Sequence, residues 1–429
     1  MLRAQWYFMN VIVIGGGIGG LSFALALHRV GIRCRVYETT PVYRPLGVGL
    51  NLLPHAVKEL GSLGLLDRLM SAGIETREIC FFTRHGQLVD REARGKHAGY
   101  DWPQVSIHRA DLHSILVNAV LERLGADALA LGHRCVGVEQ NDAEVIAHFQ
   151  GPSGQSLPPA RGTVLIGCDG IHSAVRTQLH PTDTQLRFHD STQYRGVTRW
   201  QPFLTGASMV YVGTSTTAKL VIYPIRNNVD GKGLQLVNWV AEISKPNDGV
   251  RDWNRVAHVD EFIDRVSTWV FDWLDVPSLL RAADTVLEYP IVDQDPLSIW
   301  TRGRVTLLGD AAHPMLPRGS NGSAQAIIDG TTLAGLLARS DDPRRALSEY
   351  EAARLSATSN IIHMNRTRYP DAILRIVEER TADQPFERLD EFISQSELEQ
   401  WRRAYQDAAG FSLNRVNESQ GLGLGLPPT

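Results

Sequence analysis

A glycine-rich turn near the start of the chain has the residue spacing that binds dinucleotides. The apolar run 11–14 leads into Gly15, Gly17 and Gly20, and Glu38 follows at the end of the next apolar run. In this G-x-G-x-x-G pattern the first glycine permits a tight turn, the second lets the backbone approach a pyrophosphate, and the third lets the helix pack closely on the strand. An acid at the position of Glu38 accepts hydrogen bonds from both hydroxyls of an adenosine ribose and repels a ribose phosphate. The turn therefore predicts FAD or NAD and disfavours NADP at this site.

Two more acidic residues lie in small-residue turns directly after apolar runs. Asp169 follows the run 164–168, and Asp310 follows the run 305–308. Ligands of open α/β sheets bind at the carboxyl ends of the strands, so a carboxylate in either turn can hold ribose or ribityl hydroxyls. Each acid alone would equally suit the cap of a following helix. Three acid-bearing turns in one chain, in this order, favour a dinucleotide site.

The composition is typical of a globular chain with a small-molecule ligand. The 429 residues are 43% hydrophobic and 21% charged, with a net charge of −4, which disfavours nucleic acid as a partner. No apolar run reaches 18 residues, so the sequence predicts no membrane span. The cysteines form no C-x-x-C pair, which disfavours a disulfide framework, a metal site and a redox pair and favours reduced thiols in the cytoplasm. They are Cys34, Cys80, Cys135 and Cys168.

The hydrophobic pattern between these motifs predicts the elements that position them. Residues 55–72 have the period of an amphipathic helix, and residues 79–90 read as a β-hairpin. The Pro/Gly/Ser-rich stretch 151–162 predicts a loop. Strand-like runs dominate residues 187–290 and predict a second, mainly antiparallel sheet, whereas residues 342–406 are mostly helical and richly charged.

The motifs and several segments between them resemble the class A flavoprotein aromatic monooxygenases, the family of p-hydroxybenzoate hydroxylase. The glycine turn and the two acidic turns occur in the order of that family and span most of the chain. Within the family, the chain is most similar to the flavin-dependent phenazine hydroxylases of pyocyanin biosynthesis. The similar segments are 44–51, 106–109, 195–198, 237–239, 289–296 and 319–330.

The resemblance and the element pattern together imply an α/β fold in three parts. A Rossmann-like FAD-binding domain holds an inserted, mainly antiparallel β-sheet substrate domain, and a C-terminal helical region follows. The boundaries are 9–75, 101–185 and 286–341 for the FAD-binding domain, 76–100 and 186–285 for the substrate domain, 342–415 for the helical region and 416–429 for a flexible tail.

The resemblance also assigns roles to individual residues. The loop from Pro317 to Gly322, with Gly319, would curve over the flavin and form the catalytic edge, and Arg176 would support the loop at Asp169. In this loop Gly-Ser-Asn-Gly replaces the Gly-Gln-Gly of many members. Substrate contacts are expected from four residues of the second sheet, although aromatic residues on strands also suit a core; they are Arg195, Tyr211, Tyr223 and Trp239. FAD contacts are expected from Gly15, Gly17, Gly20, Glu38, Arg44, Gly47, Val48, Arg109, Asp169 and Asp310.

The implied activity is that of an FAD-dependent monooxygenase. It would use NADH or NADPH and O2 to hydroxylate an aromatic or N-heteroaromatic small molecule through a flavin 4a-hydroperoxide. No second glycine fingerprint follows, so the nicotinamide would visit the flavin transiently. The alternatives are a related flavoprotein that performs epoxidation or Baeyer–Villiger-type insertion and a flavin binder without activity. The sequence leaves open the substrate, the choice between NADH and NADPH, and whether the protein is a monomer or a homodimer.

Overall fold

The computed structural model describes residues 9–43, 47–245 and 255–419. In chain order the strands are β1 (Asn10–Ile14), β2 (Arg33–Glu38), β3 (Gly49–Leu52), β4 (Ile74–Glu75), β5 (Glu78–Phe82), β6 (Leu88–Ala93), β7 (Val105–His108), β8 (Leu129–Leu131), β9 (Arg134–Gln140), β10 (Val145–Gln150), β11 (Ser156–Gly162), β12 (Val164–Gly167), β13 (Arg187–Trp200), β14 (Ser208–Thr214), β15 (Ala218–Arg226), β16 (Gln235–Ser244), β17 (Val256–Ala257), β18 (Val270–Phe271), β19 (Leu274–Asp275), β20 (Val286–Asp293) and β21 (Val305–Leu307).

Helices make up most of the described chain after residue 320. In chain order they are α1 (Ile18–Arg29), α2 (Pro54–Ser62), α3 (Leu66–Ala72), α4 (Arg109–Leu124), α5 (Ala174–Leu179), α6 (Val276–Arg281), α7 (Asn321–Arg339), α8 (Pro343–Thr367), α9 (Ala372–Arg380), α10 (Gln395–Ala408) and α11 (Leu413–Glu418). None of the described helices is long and apolar enough to cross a membrane.

A five-stranded parallel sheet in the order β21-β12-β1-β2-β8 carries the three acid-bearing turns. Four of the five residues of β1 are buried, as expected of a strand with helices on both faces. Because its strands are parallel, the turns after β1, β12 and β21 meet at one edge of the sheet. Helix α1 packs against α7 and α4 on this sheet.

An eight-stranded sheet in the order β17-β20-β13-β16-β15-β14-β5-β6 forms the second layer. Its neighbouring strands are antiparallel except β14 and β5, so the predicted mainly antiparallel sheet and the α/β fold class are confirmed. The predicted hairpin is the pair β5–β6. This pair joins strands from residues 187–293 in one sheet, as the predicted substrate domain requires. The domain boundaries themselves stay a prediction.

Three local predictions were wrong. The stretch 151–162 is not wholly a loop, because β11 pairs with β10 at the edge of a three-stranded sheet, where Pro158 and Pro159 are tolerated. The helix predicted over 55–72 is two helices, α2 and α3, separated at Gly64 by a left-handed backbone with φ of +69°. The flexible tail predicted from residue 416 does not include residues 416–418, because α11 continues to Glu418 and Val416 is buried.

Candidate active site

The glycine turn is held against the neighbouring strand and is open on one side. A Cβ at Gly15, whose φ is +107°, would overlap the carbonyl oxygen of Cys168, and a Cβ at Gly20 would overlap the carbonyl oxygen of Gly15. A Cβ at Gly17 would meet nothing within 4 Å. Gly17 is also the N-cap residue of helix α1, which has no side-chain cap. The free N–H groups of this helix end and the open space beside them suit a pyrophosphate.

Glu38 lies beside the turn at the end of β2. One carboxylate oxygen accepts a hydrogen bond from the backbone N–H of Gly16 at 2.7 Å, and the other accepts one from Thr40 at 2.7 Å. The side chain is half-buried, so the remaining lone pairs can accept hydrogen bonds from a ribose. Arg44 lies outside the described residues.

The structure places Asp169 on a helix end rather than on the cavity. Its Oδ2 accepts hydrogen bonds from the backbone N–H groups of Ala174 and Val175 at 2.8 and 3.2 Å, and its Oδ1 accepts one from the Ser173 hydroxyl. This is the helix-capping alternative that the sequence leaves open. A direct contact between Asp169 and FAD stays a prediction.

The turn at Asp310 is fixed from behind by two buried side chains. Arg176, 1% exposed, donates hydrogen bonds to the carbonyl oxygens of Ala311 and Ala312 at 3.3 and 3.1 Å. Oδ2 of Asp329 accepts a hydrogen bond from the backbone N–H of Gly309 at 3.1 Å. Asp310 itself is exposed at the cavity. The backbone is therefore anchored while the Asp310 carboxylate is left free for a ligand.

Asp329 was not among the predicted site residues. It is fully buried. Its Oδ2 lies 2.6 Å from Nε2 of His313, and its Oδ1 lies 2.7 Å from Nε of Arg354. Burial raises the pKa of Asp329, but His313 and Arg354 lower it more, to about 2.

The loop from Pro317 to Gly322 lines the same cavity. Gly319 and Ser320 both have left-handed backbones, with φ of +63° and +58°. They lead into the N-terminal turn of α7, which has no side-chain cap. Asn321 Nδ2 donates a hydrogen bond to Oη of Tyr405 on α10 at 2.9 Å. The C-terminal region thus holds this loop in place.

One open cavity of about 360 Å³ joins these parts. Val48 and Arg109 line it opposite the loop. The backbone N–H of Arg109 donates a hydrogen bond to the carbonyl oxygen of Val48 at 3.0 Å. Gly47 lies beside them, and a Cβ added to it would be 3.4 Å from the Cβ of Arg109. The same cavity is lined by the uncapped start of α1, by the exposed Asp310 and by the exposed Arg109. This donor and acceptor set fits a flavin dinucleotide, with Arg109 available to a phosphate.

The far wall of the cavity is one face of the eight-stranded sheet. Alternate residues of a strand share a face, so Arg195, Tyr211 and Tyr223 all lie on this wall. Trp239 does not, and its prediction as a substrate contact was wrong. Its neighbours Asn238 and Val240 are on the cavity side of β16, whereas Trp239 is 0% exposed within the core on the opposite face.

Three charged residues of this wall were missed by the sequence reasoning. Nζ of Lys219 lies 2.9 Å from Oε2 of Glu242 and 2.9 Å from Oδ2 of Asp371. Burial lowers the pKa of Lys219, but Asp371 and Glu242 raise it more. A lysine and a glutamate within apolar strands are a sequence signal that this face is a site rather than a core.

The family model described as "FAD binding domain" matches residues 9–364. The phenazine 1,6-dicarboxylic acid hydroxylase PhzS of Lysobacter antibioticus is 40% identical, over 84% of this chain and 89% of its own length. The 3-amino-4-hydroxybenzoate 2-monooxygenase PtnB3 of Streptomyces platensis is 34% identical, over 84% and 87%. The crystal structure of Klebsiella pneumoniae HpxO complexed with FAD and uric acid is similar with a TM-score of 0.69 and 25% identity, over 96% and 95%.

These similarities confirm the predicted family and cofactor. They favour aromatic hydroxylation over the alternatives of epoxidation and Baeyer–Villiger-type insertion, because relatives over most of the chain are named hydroxylases or monooxygenases of aromatic acids. The chain belongs to the FAD binding domain family and is an FAD-dependent aromatic hydroxylase that uses NAD(P)H and O2.

Proposed function

We propose that this enzyme hydroxylates a phenazine-type carboxylate, a fused N-heteroaromatic acid. The proposal is supported by the 40% identity to a phenazine 1,6-dicarboxylic acid hydroxylase over most of both chains. The observation that carries it is Arg195, a guanidinium in the wall of the cavity without a carboxylate partner among the described residues.

Arg195 is bonded only to neutral groups. Its Nε donates a hydrogen bond to Oε1 of Gln193 at 3.1 Å, and its guanidinium lies 5.2 Å from the ring centre of Tyr289. Burial lowers the pKa of Arg195 because the charge is poorly solvated. A cation held in this way is stabilised by an anionic ligand, and its fork-shaped donors match a carboxylate.

The surfaces around Arg195 suit a flat ring. Tyr211, Tyr223 and Met209 lie on the same wall, and Leu316 lies in the loop before Pro317. Burial raises the pKa of Tyr211 and of Tyr223, so both phenols stay neutral and can donate hydrogen bonds to an anionic or heteroaromatic substrate.

The wall with Arg195 faces the residues expected to hold FAD, so a bound substrate ring would lie between them. When bound and reduced by NAD(P)H, FAD would supply the chemistry that transfers one oxygen atom of O2 to an electron-rich ring carbon, the other oxygen atom leaving as water. Arg195 orients the ring from one side, while the loop with Pro317 and Gly319 borders it from the other. Together they exclude water from the space between, which favours transfer to the substrate over release of hydrogen peroxide. No protein base is assigned.

Substitution of Arg195 tests the proposal. In Arg195→Gln, the dissociation constant for phenazine-1-carboxylate, measured by calorimetry on the FAD-loaded protein, should rise about ten- to hundredfold, the value of one hydrogen bond between charged groups. The affinity for unsubstituted phenazine should change little. Arg199→Gln on the same strand is the control, because Arg199 is exposed and paired with Asp284. Equal loss for both ligands, or no loss, would contradict the assignment.

We also propose a cytoplasmic enzyme that acts as a monomer or homodimer. The four cysteines are free thiols, which suits a reducing compartment that supplies NAD(P)H. Gel filtration of the FAD-loaded protein at several concentrations decides between monomer and homodimer.

A further inference from the structure

The cavity wall carries a second charged group besides Arg195. Lys219 forms ion pairs with Glu242 and Asp371, and Nη2 of Arg318 lies 3.2 Å from Oε1 of Glu242. The guanidinium of Arg318 also lies 3.9 Å from the ring centre of Tyr369. We call Lys219, Glu242, Arg318 and Asp371 the ion network. The side chains of Lys219, Glu242 and Asp371 are 5%, 1% and 2% exposed, and all four members line the cavity.

The ion network and Arg195 differ in net charge. The network has two cations and two carboxylates, so its charges cancel. Arg195 has a neutral amide and a ring as partners and keeps a net positive charge. In a poorly solvated cavity an uncompensated cation favours an anion, whereas a compensated cluster that contains two carboxylates disfavours one.

The ion network begins at Glu242, one strand from Arg195, and extends to Lys219, two strands from Arg195. The backbone register pairs Gln193 on β13 with Glu242 on β16, and Glu242 with Lys219 on β15. Arg195 lies on the same face of β13, two residues (one row of side chains) further along the strand. Arg195 and Lys219 are therefore two strands and one row apart, about 12 Å between backbones from the usual strand spacing and rise. A fused aromatic ring with its carboxylate on Arg195 points its other edge toward the network.

We propose that the ion network makes the enzyme select a substrate with a single carboxylate and reject one with a second carboxylate at the opposite edge. The inference rests on the proposed function and deepens it. The ammonium of Lys219 has three N–H groups and two carboxylate partners, which leaves one N–H for a neutral acceptor such as a ring nitrogen. A second carboxylate that reaches this N–H lies beside the carboxylates of Glu242 and Asp371, which already pair with Lys219, and this like-charge contact weakens binding.

One member of the ion network lies outside the part of the chain that the family model matches. Asp371 follows helix α8, beyond residue 364, where the match to the FAD binding domain ends. The C-terminal region thus supplies one of the two carboxylates.

The test compares two ligands on the FAD-loaded protein. Calorimetric dissociation constants and kcat/KM are measured for phenazine-1-carboxylate and for phenazine-1,6-dicarboxylate. The wild-type protein should prefer the monocarboxylate by about tenfold or more, the smallest effect expected of a like-charge contact of this kind. Asp371→Asn and Glu242→Gln each remove one negative charge at nearly constant shape, and each should reduce this preference by about tenfold.

Asp390→Asn is the matched control, because Asp390 is exposed and paired with Arg388. It should keep the wild-type preference. Equal affinity of the wild-type protein for both ligands, or an unchanged preference in a folded Asp371→Asn or Glu242→Gln variant, overturns the inference and leaves the proposed function standing. If neither ligand binds, the proposed function fails as well. If a variant does not fold, the ratio of the dissociation constants of the two ligands for the wild-type protein still tests the inference.

Discussion

The hydroxyl of Tyr405 lies directly against Gly319, so that a Cβ on Gly319 would overlap it. The same hydroxyl accepts a hydrogen bond from Asn321 at 2.9 Å and donates one to Oδ1 of Asn365 at 2.8 Å. Helix α10 therefore reaches back over the cavity and fixes the loop expected to border the flavin. A residue at position 319 other than glycine would displace Tyr405 or the loop.

Gly319→Val tests whether this loop borders the reacting face. The valine is strained at a φ of +63° and overlaps Tyr405, so the loop shifts. FAD should still bind through the glycine turn and Asp310. The ratio of hydroxylated product to NADH consumed should fall, with hydrogen peroxide making up the difference.

The control for this change is Gly31→Val. Gly31 also has a left-handed backbone, with φ of +79°, but no atom lies within 4 Å of its Cβ position. The control should lose some stability and keep the wild-type product ratio. If Gly319→Val keeps that ratio at near-normal turnover, the loop does not border the site of oxygen transfer.

Tyr405→Phe separates the hydroxyl from the bulk of the ring. Loss of its buried hydrogen bonds should lower the free energy of unfolding by about 1–2 kcal/mol. It should also change the absorption spectrum of the bound flavin and lower the product ratio, because Asn321 is released. Tyr100→Phe removes another buried hydroxyl of the same cluster, bonded to the Phe411 carbonyl at 2.7 Å. A similar spectrum and ratio for both variants would mean that Tyr405 acts on stability alone.

Glu38→Ala should weaken FAD binding without disturbing the core. The side chain is half-buried and its partners are the backbone N–H groups of Gly16 and Thr40. Removal of a charged acceptor of the ribose should raise the dissociation constant of FAD about ten- to hundredfold. Quenching of FAD fluorescence on titration with the apoprotein measures it. Glu139→Ala, at an exposed position on β9, should bind FAD normally, and wild-type affinity in Glu38→Ala would refute the assignment.

Asp329→Asn should show a pH-dependent loss of stability. The pKa of Asp329 is about 2 in the folded protein and about 3.9 in an unfolded chain, so the folded state holds the charged form more strongly. This contribution is fully present above the unfolded pKa and is lost as the pH falls through the folded pKa. The variant should therefore be less stable by about 2 kcal/mol near pH 7, with a difference that shrinks below about pH 4. Urea unfolding measures it, and a difference that stays constant on acidification would contradict the ion pair.

Much of the fold could be predicted because short stretches of sequence, through their residue spacing and hydrophobic pattern, indicate its elements. The glycine turn, the strand before it and Glu38 lie within thirty or so residues and define one βαβ unit by their spacing alone. The hairpin β5–β6 was predicted correctly for the same reason. Residues 151–162 were harder, because Pro158 and Pro159 indicate a loop unless the partner strand is known.

The substrate wall was predicted only in part. Strand β16 has Trp239 and Glu242 on opposite faces, and only Trp239 was predicted from the sequence to contact the substrate. Alternation along the strand places the two on different faces, and the buried charge of Glu242 lies on the face that lines the cavity. Asp371 lines the cavity and Tyr405 contacts the loop at Gly319 through packing between distant parts of the chain, which no local pattern indicates.

The central claim, that this chain is a hydroxylase of a phenazine-type carboxylate, is tested most directly with isotopically labelled oxygen. The FAD-loaded protein is mixed with NADH, phenazine-1-carboxylate and ¹⁸O₂, and the product mass, NADH consumption and hydrogen peroxide are measured together. We expect a product that contains one oxygen atom from O2, formed in near-equal amount to the NADH consumed. Oxidation of NADH with all of the oxygen recovered as peroxide and no labelled product would contradict it.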